Sequence, residues 1–178
     1  MSDLDSLLKQ IPIDQIAKKL GVDDDVARDA VEKVLPTIVA GLSANSKDKA
    51  GAASLEKALT KHEARRTPSS VDDIDTEDGE KIVDNVFGAN KTKVVSAVST
   101  TAKADESVIA KILPIVAPIV LSWLASRFLA KKTDAAGSAH GGIGDLLGGL
   151  LGGATGGKGG GGDVLGGLLG GLLGGGKR

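Results

Sequence analysis

Glycine is distributed so unevenly that it limits where this chain can build a packed core. Of the 26 glycines in 178 residues, 20 follow His140. A segment so rich in glycine has few side chains to bury and loses the most backbone entropy on folding. Residues 1–134 also carry almost all of the charged side chains. We therefore expect a globular domain over residues 1–133 and a Gly/Leu-rich low-complexity tail over residues 134–178.

Apolar residues in the first part of the chain recur at helical spacings. In "LDSLLKQIP" and the stretches after it, aliphatic residues are three or four positions apart, which places them on one face of a helix. No stretch of residues 1–134 alternates apolar and polar residues as a half-buried strand does. The sequence therefore predicts an all-α, multihelical domain with an aliphatic core. The residues expected in that core are Leu35, Ile38, Ile82, Val86, Phe87, Ile112, Leu113, Ile119 and Trp123.

Glycine and proline residues indicate where the helices begin and end. Gly21 and Gly88 fit positions just after a helix, where a left-handed conformation is common. Pro12 is expected to separate two short helices. Pro36 removes a backbone donor and clashes with the preceding turn. We therefore expect a kink or a break at Pro36, followed by a short helix to Gly41.

Two stretches of the domain resemble each other. "DVARDAVEKVLPTIVAGL" and "ESVIAKILPIVAPIVLSWL" both run from an acidic start through an apolar stripe to Leu-Pro and a second aliphatic run. Any buried helix with an acidic start has some of these features, but the shared Leu-Pro centre favours a true repeat. The sequence therefore predicts two related helix–Pro–helix units.

Residues able to carry out chemistry are few and scattered. The absence of Cys excludes disulfides, thiolate catalysis and Cys-ligated metal sites. His62 is expected near an exposed helix C-terminus, where a cation is favourable. "GGATGGKGGGG" has the glycine–lysine spacing of a phosphate-binding loop but lacks the following Ser or Thr, and "DDIDTEDGEKIVD" lacks the glycine and glutamate positions of an EF-hand loop. We therefore predict no enzyme, no catalytic residue, no cofactor and no metal, and the sequence identifies no small-molecule substrate.

Charge and hydropathy narrow the expected partners and location. A net charge of −1 gives no sign of a nucleic-acid partner. "MSDLDSLLKQIP" has no basic region before an apolar stretch, unlike a signal peptide. The apolar run "ILPIVAPIVLSWLAS" is shorter than the roughly 20 residues of a membrane-spanning helix and contains two prolines. We expect it to form a buried core helix, and we expect the protein to be cytoplasmic.

Four ordered stretches resemble a known family. They are "LGVDDDVARDAVEKVLPTIVAGL", "AASLEKALTKHE", "GEKIVDNVFGANKTKVVSAVS" and "ILPIVAPIVLSWLASRF", and together they cover most of residues 13–130. In this order they resemble the bacterial family called domain of unknown function 937, which includes YidB-like proteins. The resemblance implies a bacterial, multihelical, two-repeat domain that is often followed by a Gly-Leu-rich tail. It implies no established enzymatic activity and supplies no catalytic residue.

The tail repeats the unit Gly-Gly-Leu-Leu in two arrays, "GIGDLLGGLLGG" and "DVLGGLLGGLLGGGKR". A helix of this composition should not form alone in water, because each glycine costs about 1 kcal/mol relative to alanine. Three alternatives remain, namely a disordered tail, a self-association element and a weak membrane-surface anchor. Regular leucine pairs favour self-association, since something should cover them. The residues expected to mediate it are Leu146, Leu147, Leu150, Leu151, Leu165, Leu168, Leu169, Leu172 and Leu173.

These observations predict a self-assembling structural or interaction protein whose main partner is another copy of itself, as a homo-oligomer or polymer. The helical domain would form the soluble body, and the two arrays would provide several weak contacts per chain. The alternative is a peripheral membrane or envelope-associated protein that the Gly-Leu tail anchors to a membrane surface.

Overall fold

The structure is a computed structural model and describes residues 3–63, 68, 70–134 and 143–154. All regular secondary structure in these ranges is helical, which confirms the all-α prediction. Single 3₁₀ turns cover Val71–Asp73 and Gly88–Asn90. The α-helices are α1 (Asp3–Leu8), α2 (Ile13–Leu20), α3 (Asp24–Ser46), α4 (Lys49–Glu63), α5 (Thr76–Phe87), α6 (Lys91–Ala102), α7 (Glu106–Asp134) and α8 (Ile143–Ala154).

The two longest helices, α3 and α7, pack against each other at the centre of the fold. α5 and α4 make extensive contacts with α7, and α3 contacts each of the other seven helices. Every residue of α7 from 112 to 125 is buried. The segment Glu106–Phe128 is long and apolar enough to cross a membrane, but 89% of its most apolar window is buried inside the protein. α7 therefore has the surroundings expected of a core helix.

Proline does not break either central helix. α3 continues through Pro36 to Ser46, and α7 contains both Pro114 and Pro118. The predicted short helix ending at Gly41 is therefore wrong. A proline removes one backbone hydrogen bond, but burial of the side chains on both sides of it keeps the helix in place. At Pro36, these flanking core residues include Leu35 and Ile38.

The predicted helix ends agree well with the structure. Gly21 follows α2 in the left-handed conformation, with φ of 69°, and its N–H donates to the carbonyl of Ala17. Gly88 follows α5 with a positive φ of 51°. Pro12 stands immediately before α2 and separates it from α1. These local signals were therefore reliable where they lay at the surface.

The predicted core residues occupy the interior, with two differences of degree. Val86 and Phe87 are half-buried and pack against the edge of the core around Gly41. The prediction for His62 is also wrong, because its side chain is buried rather than exposed at the end of α4. The last turn of α4 faces α5, which supplies an acidic partner for the imidazole. The predicted residues that the structure buries are Leu35, Ile38, Ile82, Ile112, Leu113, Ile119 and Trp123.

Candidate functional site

The first Gly-Leu array forms α8, and this helix packs on the helical body. Its main contact is with α3, and it also touches α1 and α4. We call the surface of α1, α3 and α4 that contacts α8 the α8-binding surface. Ile143, Leu147 and Leu150 are buried there, and Leu151 is partly buried against the same core. Their spacing of four, three and one residues places all of them on one face of α8.

Two glycines of α8 lie on its exposed side. Gly148 and Gly149 are exposed, and a Cβ atom on either would have no heavy atom within 4 Å. The helix therefore presents Leu147 and Leu150 to the body, and bare backbone to solvent at Gly148 and Gly149.

Energetics explain why α8 depends on its binding surface. The sequence of α8 contains five glycines, which together cost about 5 kcal/mol of helix propensity relative to alanine. Burying an Ile or Leu side chain contributes about 1.5–3 kcal/mol, so three such residues contribute a similar sum. Burial of these side chains therefore offsets the cost of the glycines, and α8 depends on its contact with the body for its helical form.

The structure places the predicted self-association residues in two groups. Of the first four, Leu147 and Leu150 are buried against their own chain, Leu151 is half-buried, and Leu146 belongs to the same helix. The remaining five lie outside the described residues, and these are Leu165, Leu168, Leu169, Leu172 and Leu173. The predicted boundary between residues 133 and 134 precedes α8, so the helical packing includes an element of the predicted tail.

The second array repeats the docking sequence of α8 in register. α8 reads "IGDLLGGLLGGA", and residues 165–176 read "LGGLLGGLLGGG". The two sequences differ only at the positions of Ile143, Asp145 and Ala154. Each buried position of α8 therefore has an aliphatic counterpart, as Leu165 matches Ile143 and Leu169 matches Leu147. The buried positions of α8 decide which leucines of the second array are equivalent to Leu147 and Leu150.

A buried polar cluster joins α4 to α5 elsewhere in the body. One oxygen of the Asp78 carboxylate lies 3.1 Å from Nε2 of His62, and the other lies 3.0 Å from Nζ of Lys61. The His62 side chain is 4% exposed and that of Asp78 is 12% exposed. The Asp78 N–H donates to the side chain of Asp75, which caps α5. This enclosed arrangement holds two helices together.

The described residues hold no group of three or more His, Asp or Glu side chains placed to bind a metal ion. The Gly-Leu docking helix is therefore the feature of the described ranges that most directly suggests a function.

Residues 3–127 match the model of a family described as a bacterial protein of unknown function, DUF937. The chain belongs to this family. The DUF937 region runs from the start of α1 through most of α7, so it supplies every helix of the α8-binding surface, while α8 itself follows it. No curated protein and no solved structure matches the chain.

Proposed function

We propose that this protein is a non-enzymatic, self-associating protein of the bacterial cytoplasm, in which Gly-Leu arrays connect one copy to another. The observation that carries the proposal is the docking of α8. In α8, a Gly-Gly-Leu-Leu array acts as a helix that buries Leu147 and Leu150 on a helical surface. An array of this kind is therefore a binding element rather than a plain spacer.

The number of arrays supports association between chains. The described part of each chain has one α8-binding surface, which α8 occupies, and the sequence contains a second array with the same pattern as α8. The second array supplies further leucine pairs for contacts with other copies. Several weak contacts on one chain reinforce each other, since the first raises the effective concentration of the next.

The helical body would provide the folded scaffold for these contacts. We propose that it consists of two related units centred on α3 and α7. Support comes from Pro36 and Pro114, each of which follows a buried leucine inside a long, continuous helix. The direct packing of α3 on α7 is the arrangement that two such units would share.

Sedimentation of the full-length chain over a wide concentration range tests the proposed association. In the test variant, serine replaces five leucines of the second array, namely Leu165, Leu168, Leu169, Leu172 and Leu173. A matched control places five serines in the connection between the arrays, at Gly156, Gly157, Gly159, Gly160 and Gly161. We expect wild type and control to associate and the test variant to remain monomeric. If wild type is monomeric at every concentration, the proposal is wrong.

The alternative function is contact with a membrane surface. Two basic residues, Lys177 and Arg178, follow the second array, and such residues favour anionic headgroups. Flotation with anionic and neutral liposomes distinguishes this function from self-association. Binding of a monomeric wild type to anionic liposomes, with loss of binding in the leucine variant, would replace self-association with peripheral membrane attachment.

A further inference from the structure

We infer that the α8-binding surface is also the receptor for the second array, so that residues 165–176 of one copy bind where α8 of another copy lies. The inference rests on the proposed self-association and specifies its mode. The partner is a second copy of this chain, and the contact is helix to body rather than array to array.

The first argument is the match of buried positions. In α8, Ile143, Leu147 and Leu150 are buried, and Leu151 is partly buried. The second array places Leu165, Leu169, Leu172 and Leu173 at the equivalent positions. A surface that accepts the first set of side chains therefore accepts the second with one substitution, Leu for Ile, that conserves volume.

The remaining positions of the two arrays do not oppose the exchange. The glycines at 170 and 171 correspond to Gly148 and Gly149, which lie on the exposed face of α8. Asp145 corresponds to Gly167, and Ala154 to Gly176. Both changes lower helix propensity, by about 0.3–1 kcal/mol each, and add no bulk to the helix.

The second argument is that α8 can leave its surface. Five glycines lower the helix propensity of α8, so its displacement costs less than that of a helix without glycine. Exchange of an identical element between copies is a low-cost route to oligomers. Here the chain carries the element twice, so one copy can keep an occupied surface while it offers a helix to the next copy.

The tether gives α8 an advantage at low concentration. Residues 135–142 connect α7 to α8, and a short connection gives the attached helix an effective concentration on the order of 1 mM. The second array of another copy displaces α8 only when the concentration of that copy approaches this effective concentration. Association by exchange should therefore rise steeply with protein concentration and should depend on how firmly α8 is held.

This competition predicts opposite effects for two matched pairs of substitutions in the full-length chain. Gly148→Ala with Gly149→Ala adds helix propensity to α8 on its open face, which holds α8 on its own body. Gly170→Ala with Gly171→Ala adds the same propensity to the competing helix. By sedimentation equilibrium, we expect the first pair to weaken association roughly tenfold or more, and the second to strengthen it by a similar factor.

The alternative mode, in which arrays bind each other, predicts that both pairs shift association in the same direction. That result would overturn the docking inference and leave the proposed self-association intact. A methyl group at Gly148 or Gly149 meets open space, and Gly170 and Gly171 are the equivalent positions of the second array. We therefore expect both alanine pairs to leave the fold intact.

If the wild type does not associate, the proposed function is wrong. A second measurement then tests the docking inference separately. A fluorescent peptide of residues 163–178 is titrated into the chain whose own second array carries the five Leu→Ser changes and cannot compete, and into the same chain with Leu147→Ser and Leu150→Ser added. Circular dichroism checks that the variant body remains helical. We expect the peptide to bind the variant at least tenfold more tightly, because the surface is vacated. Equal binding, or no binding to either chain, overturns the inference.

Discussion

Gly79, in the first turn of α5, lies directly against the backbone of Pro114 in α7. A Cβ atom at position 79 would overlap the carbonyl oxygen of Pro114 and lie 2.7 Å from its carbonyl carbon. Pro118 comes four residues after Pro114 and has no N–H, so the α-helical donor for this oxygen is missing. α5 therefore approaches α7 where the second proline has removed this donor, and glycine is the residue that permits the approach.

Gly79→Ala should destabilise the protein by about 1–3 kcal/mol. The added methyl group forces α5 away from α7, as overpacking of a core does. Urea denaturation followed by circular dichroism measures the change in the free energy of unfolding. Glu80→Ala is the control, because Glu80 is the exposed neighbour in the same helix. A midpoint for Gly79→Ala at or above that of the control would contradict the close contact.

Asp78→Ala should destabilise the protein by about 3 kcal/mol. It removes a buried carboxylate that faces His62 and Lys61, and the loss of one partner of a buried pair is costly. Lys61→Ala should cost less than about 1 kcal/mol, since the lysine side chain is 60% exposed. Chemical denaturation of the two variants compares these costs. Similar losses from both substitutions would show that burial of the His62–Asp78 pair contributes little.

Leu113→Ala should destabilise the protein by about 2–5 kcal/mol. The leucine is fully buried in α7, next to Pro114, so the change leaves a cavity between central helices. The exposed Lys111 of the same helix provides a control as Lys111→Ala. Thermal and urea unfolding give the comparison. An unchanged midpoint for Leu113→Ala would contradict the central position of α7.

The sequence predicted the fold class because the helical period is a local signal. Gly21, Gly88 and Pro12 were interpreted correctly for the same reason, since each acts on the few residues around it. The prediction of a short helix after Pro36 is wrong, because the burial that keeps α3 continuous comes from helices distant in the sequence. The partner of His62 is likewise remote, since Asp78 lies on another helix.

The α8 site shows the same limit in a different form. The leucine spacing of the first array is visible in the sequence, and its glycine content predicts that it forms no helix alone. The sequence did not reveal that α3 would supply a surface for Leu147 and Leu150, because that contact joins segments about a hundred residues apart. The buried positions of α8 allow the second array to be aligned with it, and this alignment leads to the inference that the second array binds the same surface.

Leu147→Ala should release α8 without unfolding the body. Leu147 is fully buried, and its truncation removes about 2–5 kcal/mol from a helix whose propensity its glycines already lower. Local opening can occur far below the free energy of global unfolding. Hydrogen exchange measured by mass spectrometry should therefore show loss of amide protection in residues 143–154, while residues 112–125 of α7 remain protected. Gly149→Ala is the matched control and should increase protection in α8, because its methyl group meets open space. Simultaneous loss of protection in α8 and α7 would mean that α8 is an integral part of the cooperative core, and exchange of helices between copies would then require global unfolding.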